Sequence, residues 1–299
     1  MNSSSNKVAF YLLGSKGFFT IKLFIEKYGR ESISFIVVGN DKNVENDFSA
    51  EIKEIANNNS LRFFDRSEVP LEIENKFLGW SFAIGWKWII DSKFQLIVLH
   101  DSLLPKYRGF SPLVNSLINQ ETKTGVTALF ASSEYDKGEI IEQAILEIKY
   151  PIKIKELISR IEPLYFNIVS HIFSKIKNNV TITSKAQNEK QATYSLWLDK
   201  FDYFIDWNWS AEKIKRFVDA TGSPYDNAKS ILNKEIVKLL DVDVVKDVHI
   251  EIRARHIGKV LFMNDGCPTI ICGQGLLSVS KLLNIRNDNL QIDFRSRFE

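Results

Sequence analysis

The chain has little of what covalent and metal chemistry usually draws on. It holds only two cysteines in 299 residues, Cys267 and Cys272. Their spacing is not Cys-x-x-Cys and no histidine clusters beside them, so neither a disulfide framework nor a zinc site is expected. Both read as free thiols of a reducing compartment. Charge of one sign is also lacking: 39 basic against 37 acidic residues leave a formal net charge of +2. Such a balance makes no field strong enough to gather nucleic acid or anionic lipid. No stretch approaches the ~20 apolar residues needed to span a bilayer. Repeats and low-complexity tracts are absent as well, which excludes solenoids and arrays.

The segment Met1–Leu23 does not read as a secretory signal. Only Lys7 precedes the apolar run Val8–Leu13, and Gly14-Ser15-Lys16-Gly17 then interrupts it. The expectation is a soluble, cytoplasmic protein. Hydrophobic residues at 44% and charged residues at 25% are ordinary for a globular chain and exclude disorder over most of the length.

Apolar runs at Lys7–Leu13, Ile33–Val38, Leu61–Phe64, Phe77–Ile84, Phe94–Leu99 and Gly125–Phe130 suit buried strands. Helical spacing occurs at Gly17–Tyr28, Phe48–Ala56 and Lys153–Lys177, where Pro163 threatens a kink. Strands alternating with helices predict an α/β fold, a Rossmann-like, doubly wound and mostly parallel sheet. The polar, aperiodic stretch Thr183–Ala192 reads as a linker. Residues 1–190 would then form the main domain, and 191–299 a linker helix with a small domain. Ser210 is a fitting N-cap for a helix over Ser210–Asp219. Short runs follow at Lys229–Ile231, Ile236–Leu240, His249–Ala254, Lys259–Met263, Thr269–Cys272 and Leu276–Lys281. Turn signals at Asn264-Asp265-Gly266 and Gly273-Gln274-Gly275 separate the later ones, and the pattern predicts a β-rich, OB-like barrel or a sandwich.

The chemistry concentrates in His100-Asp101-Ser102-Leu103-Leu104-Pro105-Lys106-Tyr107-Arg108-Gly109, directly after a predicted strand. Ligands of open α/β sheets bind outside the carboxyl ends of strands, and imidazole titrates near neutral pH. A histidine at a strand end, taken alone, is more often structural than catalytic.

Taken together, His-x-Ser-Leu-Leu-Pro, the following Arg-Gly, Thr124–Thr127 (Thr-Gly-Val-Thr) and Asp136 to Gly138 (Asp-x-Gly) resemble the formyltransferase family. Tyr203–Ala211 and Pro224-Tyr225 are similar to the segment leading into that family's C-terminal domain. The resemblance implies N10-formyltetrahydrofolate as co-substrate, no metal, and His100 with Asp136, 36 positions on, as the catalytic pair. It implies a donor pocket walled by Ile84, Gly85, Trp86, Leu103, Leu104 and Pro105, with Ser133 and Tyr135 beside the pterin. Trp86 and Trp88 could equally be core aromatics. One position departs from the family: Val98 stands where an asparagine amide usually helps to hold the carbonyl oxygen as it gains charge. Valine cannot donate. A protonated His100, a backbone N–H, or a side chain such as Ser102 would have to serve, or else activity is lost.

Four residues are candidate acceptor contacts. Ser15 and Lys16 lie in a strand–helix turn whose N–H groups suit an anion; Lys106 and Arg108 suit an acidic acceptor. For each, the plain alternative is a turn or a solvated surface. Methionyl-tRNA members of the family generally carry a basic loop after the second strand. Here that region, Gly39–Ser49, has Lys42 as its only basic residue, set against Asp41, Glu45 and Asp47. The expected partner is therefore a small amine, an amino sugar free or nucleotide-linked, with no nucleic acid or membrane partner. The C-terminal domain is left to dimerisation or acceptor binding. The alternatives are a methionyl-tRNA formyltransferase, a non-catalytic binding module of the same fold, and a hydrolase releasing formate.

Overall fold

The computed structural model describes residues 7–90, 95–290 and 292–299. Phe94, at the start of one expected strand, lies outside the described residues. In chain order the elements are β1 (Val8–Leu12), α1 (Gly14–Tyr28), β2 (Ile33–Val38), α2 (Ser49–Asn58), β3 (Phe63–Asp65), α3 (Leu71–Lys76), β4 (Trp80–Ile84), β5 (Gln95–His100), β6 (Arg108–Gly109) and α4 (Pro112–Ile118). There follow β7 (Lys123–Phe130), β8 (Ile140–Glu147), α5 (Ile154–Lys177), β9 (Tyr194–Ser195), α6 (Ala211–Thr221), β10 (Ala228–Leu232), β11 (Glu235–Val245), β12 (Val260–Asn264), β13 (Cys267–Ile271) and β14 (Leu276–Asn284).

The chain divides into two compact units. The first holds the described residues up to Leu113, with Thr122–Ile148 and Glu156–Leu196; the second holds Val114–Glu121, Lys149–Lys155 and Trp197–Glu299. In the first, a seven-stranded sheet runs β3-β2-β1-β4-β5-β7-β8. Its first five strands are parallel, and β7 and β8 are antiparallel. Val8–Leu12 and all of Ile33–Val38 but Ser34 are buried, as strands covered on both faces must be. The chain winds from β1 out to β3, then returns to β4 on the other side of β1. That reversal opens a crevice at the carboxyl ends of the strands, where β5 ends in His100. Helix α1 starts at Gly14, three residues earlier than the apolar spacing indicates, because its first turn carries no core residue. Helix α5 runs through Pro163 without interruption and buries Leu157, Ile161, Tyr165, Ile168, Ile172 and Phe173, a stripe at helical spacing.

Thr183–Ala192 is not a free linker. Lys185 exchanges two backbone hydrogen bonds with Ile140 (2.8 and 2.9 Å), and Gln187 and Glu189 bind side chains of the first unit. A polar stretch without periodicity is what remains when side chains serve as hydrogen-bond partners rather than as core.

In the second unit, Ser210 accepts from the Lys213 N–H (3.2 Å) and caps α6. The helix packs Ile214, Phe217 and Val218 into a core with Leu239, Val242, Ile270, Leu277 and Val279 from an antiparallel sheet ordered β10-β11-β14-β13-β12. The C-terminal segment joins the two edges of this sheet. Glu299 and Ile231 exchange backbone bonds (2.9 and 3.0 Å), and the Phe298 and Val260 N–H groups donate to Gly258 O (2.8 Å) and Ser296 O (3.2 Å). Covering the edges in this way is what a barrel-like domain requires. His249–Ala254 is not a strand. Ile252 is 62% exposed at φ 49°, and the Arg253 guanidinium donates to the carbonyls of Cys272, Gly275 and Val248. Arg253 satisfies loop carbonyls here, and no strand pairs with the segment. Cys267 and Cys272 are free thiols, and burial pushes Cys272 up to about 12. No helix among the described residues is long and apolar enough to cross a membrane.

Candidate active site

The alternation of β5 sets the site. Leu96, Val98 and His100 share one face of the strand and line a cleft in the first unit. His100 is 8% exposed. Its Nε2 lies 2.7 Å from the Tyr107 carbonyl oxygen. A carbonyl only accepts, so in the neutral ring Nε2 carries the hydrogen and Nδ1 keeps the lone pair. Nδ1 in turn faces Asp136 Oδ1 at 3.5 Å. Asp136 is held from the other side, where its Oδ2 accepts from the Gly109 N–H at 2.8 Å. Gly109 has φ 98°, and a Cβ there would meet Ser195 O at 2.6 Å, so glycine is needed for this approach. Residues 36 positions apart in the chain are thus one unit in space.

The cleft is apolar along Leu96, Val98, Leu129 and Ile90, and Trp86 and Trp88 stand at its side. The two indoles meet edge to face at 5.0 Å, with Gly39 packed against both. Trp86 Nε1 is buried without a hydrogen-bond partner. Ser132, Glu134 and Tyr135 line the opposite side. Polar side chains from three further elements complete the lining: Lys16 of α1, Asp101 after β5 and Tyr165 of α5. Asp101 accepts from both Lys16 and Tyr165.

The residues named from sequence divide accordingly. His100, Asp136, Gly85, Trp86, Tyr135 and Lys16 line the cleft. Ile84 does not: it is wholly buried in β4. Leu103, Leu104 and Pro105 are not walls of the cleft either. Leu104 packs with Leu129 and Ile140 while its N–H donates to Thr127 Oγ1 (3.2 Å), and Leu103 packs over Gly125. Leu-Leu-Pro therefore anchors the loop instead of facing a ligand. Ser133 and Lys106 are exposed and do not line the cleft. Ser102 is 1% exposed and donates to Lys106 O (2.6 Å), which removes it as a donor to a reacting oxygen. Val98 does face the cleft, so the missing amide is a real feature of the site.

Arg108 is the largest correction. It is 0% exposed and binds inward, not toward an acceptor. Gln187 Oε1 accepts from its Nε (3.1 Å) and Nη2 (2.8 Å), and Glu189 accepts from Nη1 (2.8 Å) and Nη2 (2.6 Å). The hydrogen bond that it donates to Glu189 holds the guanidinium pKa well above its ordinary value, and the same contact holds the Glu189 carboxyl below its own. Ser15 likewise turns inward, bonding Glu162 of α5. The anions expected near the Gly14–Gly17 turn are thus two carboxylates of the chain itself, Asp101 and Glu162. The sequence reading missed Asp101, Tyr165, Glu162, Gln187 and Glu189. Only Asp101, inside the histidine motif, carried any local signal.

Burial raises the Glu162 carboxyl, against the opposing hydrogen bond from Ser15 and the charge of Lys16. A raised folded-state value means that the native protein holds this proton more tightly than the unfolded chain. The resulting stability is complete below the unfolded value and is lost as pH rises through the folded one. Glu162→Gln is therefore expected to raise Tm at about pH 8 and to leave it nearly unchanged at about pH 3. Melting curves at both pH values check this, and an equal shift at the two would contradict it.

Two family models match the chain, one described as formyl transferase over residues 79–171 and one as formyl transferase, C-terminal domain, over residues 198–293. A methionyl-tRNA formyltransferase of Alkaliphilus oremlandii is 32% identical over 190 residues, covering 64% of this chain and 59% of that protein. The chain thus spans about three fifths of the length of such relatives. Among solved structures, an N-formyltransferase of Helicobacter canadensis in complex with folinic acid and dTDP-3-aminofucose aligns with TM-score 0.66 at 19% identity, over 91% of this chain and 98% of that one. HypX of Aquifex aeolicus in complex with tetrahydrofolic acid aligns with TM-score 0.61 at 17% identity, over 96% of this chain and 46% of that one. At these identities the likeness to the solved structures is one of fold.

Proposed function

The chain belongs to the formyl transferase family, and from that premise we propose that it moves a formyl group from N10-formyltetrahydrofolate to the amine of a small acceptor, an amino sugar destined for a surface glycan. The observation that carries this reading is the His100–Asp136 pair set in an apolar cleft at the end of β5. The cleft suits a flat heteroaromatic ring. Leu96, Val98 and Leu129 offer apolar faces beside Ala131, Ser132 and Glu134, and Trp86 Nε1 is a buried donor without a partner.

The bound folate supplies an activated formyl carbon. The chain supplies position and proton handling. His100 Nδ1, its lone pair kept free by the Nε2 bond to Tyr107 O, takes the proton that the acceptor amine sheds as it bonds the formyl carbon, and gives it to the folate nitrogen as the bond from that nitrogen to the formyl carbon breaks. Asp136 lies 3.5 Å from that nitrogen and stabilises the imidazolium once it forms. Val98 gives the formyl oxygen no donor, so the positive charge on His100 becomes its main electrostatic support.

A small acceptor is favoured by the loop between β2 and α2. Its Asp41 is paired with Lys87 (2.8 Å), and Asp47 accepts from the N–H groups of Asp41 (2.9 Å) and Ser49 (3.0 Å). An acidic, internally bonded loop repels an RNA backbone. The solved relative with dTDP-3-aminofucose supports the same choice. The curated relatives favour a second reading, with initiator tRNA as acceptor. The deciding experiment incubates the chain and N10-formyltetrahydrofolate with free and nucleotide-linked amino sugars and weighs the products by mass spectrometry, beside a gel shift with initiator tRNA at moderate salt. A formylated sugar without a shift is expected. Tight tRNA binding with no sugar product would establish the second reading, and no product on any acceptor would mark a binding module.

A further inference from the structure

Both members of the catalytic pair hang from one strap, residues 185–195, which follows α5, turns through Glu189–Gln191 and belongs to the first unit. Its Gln187 Nε2 donates to the backbone carbonyls of Asp136 (2.6 Å) and Gly138 (2.8 Å), while its Oε1 is fastened by Arg108. Its Thr193 Oγ1 accepts from the Tyr107 N–H at 2.8 Å, and its Thr193 carbonyl accepts from the Arg108 N–H at 2.8 Å. Tyr107 is the residue whose carbonyl oxygen holds His100 Nε2. Tyr107 and Asp136 both sit in the left-handed region, at φ 58° and 56°. Non-glycine residues stay there only when their surroundings over-determine them. Those surroundings are Gln187 on one side, Thr193 on the other, and the Arg108 guanidinium between them.

We propose that Gln187 is a positioning residue for formyl transfer: its amide sets the distance between His100 and Asp136 by tying the Asp136 backbone to the Arg108–Glu189 clamp, and Thr193 does the same for the Tyr107 carbonyl. This rests on the reading of His100 as the base. The consequence is geometric. If the Asp136 backbone is released, the carboxylate drifts from Nδ1, and the imidazolium formed on proton uptake loses its charge partner. Gln187 lines no part of the cleft, so ligand binding is left alone.

Four variants separate positioning from mere stability. Gln187→Glu keeps an acceptor for Arg108 but has no N–H for the Asp136 and Gly138 carbonyls. Gln187→Leu removes both functions. Thr193→Ser keeps the hydroxyl, whereas Thr193→Val does not. For Gln187→Glu the expected result is a kcat lower by about 10- to 100-fold, the loss typical of a small misplacement of reacting groups. The donor KM should stay within about twofold, and Tm should fall by only a few degrees, because the Asp136 and Gly138 carbonyls lose their donor while the guanidinium keeps its partners. Thr193→Ser should retain turnover and Thr193→Val lose it.

The side-chain 15N resonances of His100 in the full chain, without any substrate, give a second readout. In the parent they should report a protonated Nε2 and a bare Nδ1, and in Gln187→Glu a shifted or mixed pattern. A Gln187→Glu protein with kcat within about twofold of the parent and an unchanged His100 spectrum overturns the proposal. So does a loss of turnover only in proportion to a fall in Tm. If the parent transfers no formyl group to any amine, the functional reading fails by itself. The His100 spectra then decide the positioning role: a change supports it and no change defeats it.

Discussion

His100→Asn is expected to lower formyl transfer by about 10²- to 10⁴-fold, the range that a positioned general base contributes. The fold should survive. An asparagine amide reaches only to the level of Nδ1, so the Tyr107 carbonyl loses its donor at a cost of about 1–3 kcal/mol, which leaves a folded protein of ordinary stability folded. What disappears is the imidazole that takes the amine's proton and holds it as a cation beside Asp136. Donor binding should change little, because the apolar faces of the cleft come from Leu96, Val98 and Leu129. Steady-state transfer rates, donor affinity read from Trp86 and Trp88 fluorescence, and melting curves together check this. A variant that keeps near-parental turnover removes His100 as the base, whatever its effect on stability.

Arg108→Met should cost about 2–3 kcal/mol of stability, a drop of several degrees in Tm. Methionine replaces the apolar stem, so little volume is lost. The loss is in donors. Half-buried Gln187 Oε1 gives up its guanidinium partner, while the Tyr194 hydroxyl, on a residue 59% exposed, can turn to water. Glu189 is 64% exposed, so its carboxylate can turn to solvent and contributes little to the loss. Arg108→Lys should not restore stability, since one ammonium cannot span Gln187 and Glu189 as a planar fork does. Urea denaturation of the two variants, with acceptor KM measured on the survivors, decides the role of Arg108. If Arg108→Met kept full stability and only raised acceptor KM, the acceptor-contact reading of this arginine would return.

The parts of the protein that sequence reveals are those in which each residue reports its own environment. Val8–Leu12 and Ile33–Val38 read as covered strands because nearly every position is apolar and every such strand position is buried. Ser210 reads as a cap because a hydroxyl at that point has one obvious N–H to accept from, and the structure supplies it from Lys213. His100 and Asp136 were recognisable through ordered motifs. Gln187 and Glu189 were not, because they meet Arg108 across 79 and 81 positions and leave no periodic trace. Lys16 and Asp101 pair across 85 positions in the same silent way. His249–Ala254 misled because alternation of Ile250 and Ile252 resembles a strand, but a strand exists only if a neighbour accepts its hydrogen bonds.

Apolar pattern and local chemistry by themselves therefore decided the parallel order of helices and strands, the β-rich second unit, and the histidine at a strand end. Only the tertiary structure decided which polar side chains face the cleft and which turn inward: Lys16 to Asp101, Ser15 to Glu162, Arg108 to Gln187 and Glu189. The physical reason is that burial of apolar surface is non-directional and can be read residue by residue. A hydrogen bond needs a partner at one distance and angle, and that partner is chosen by the packing of distant segments.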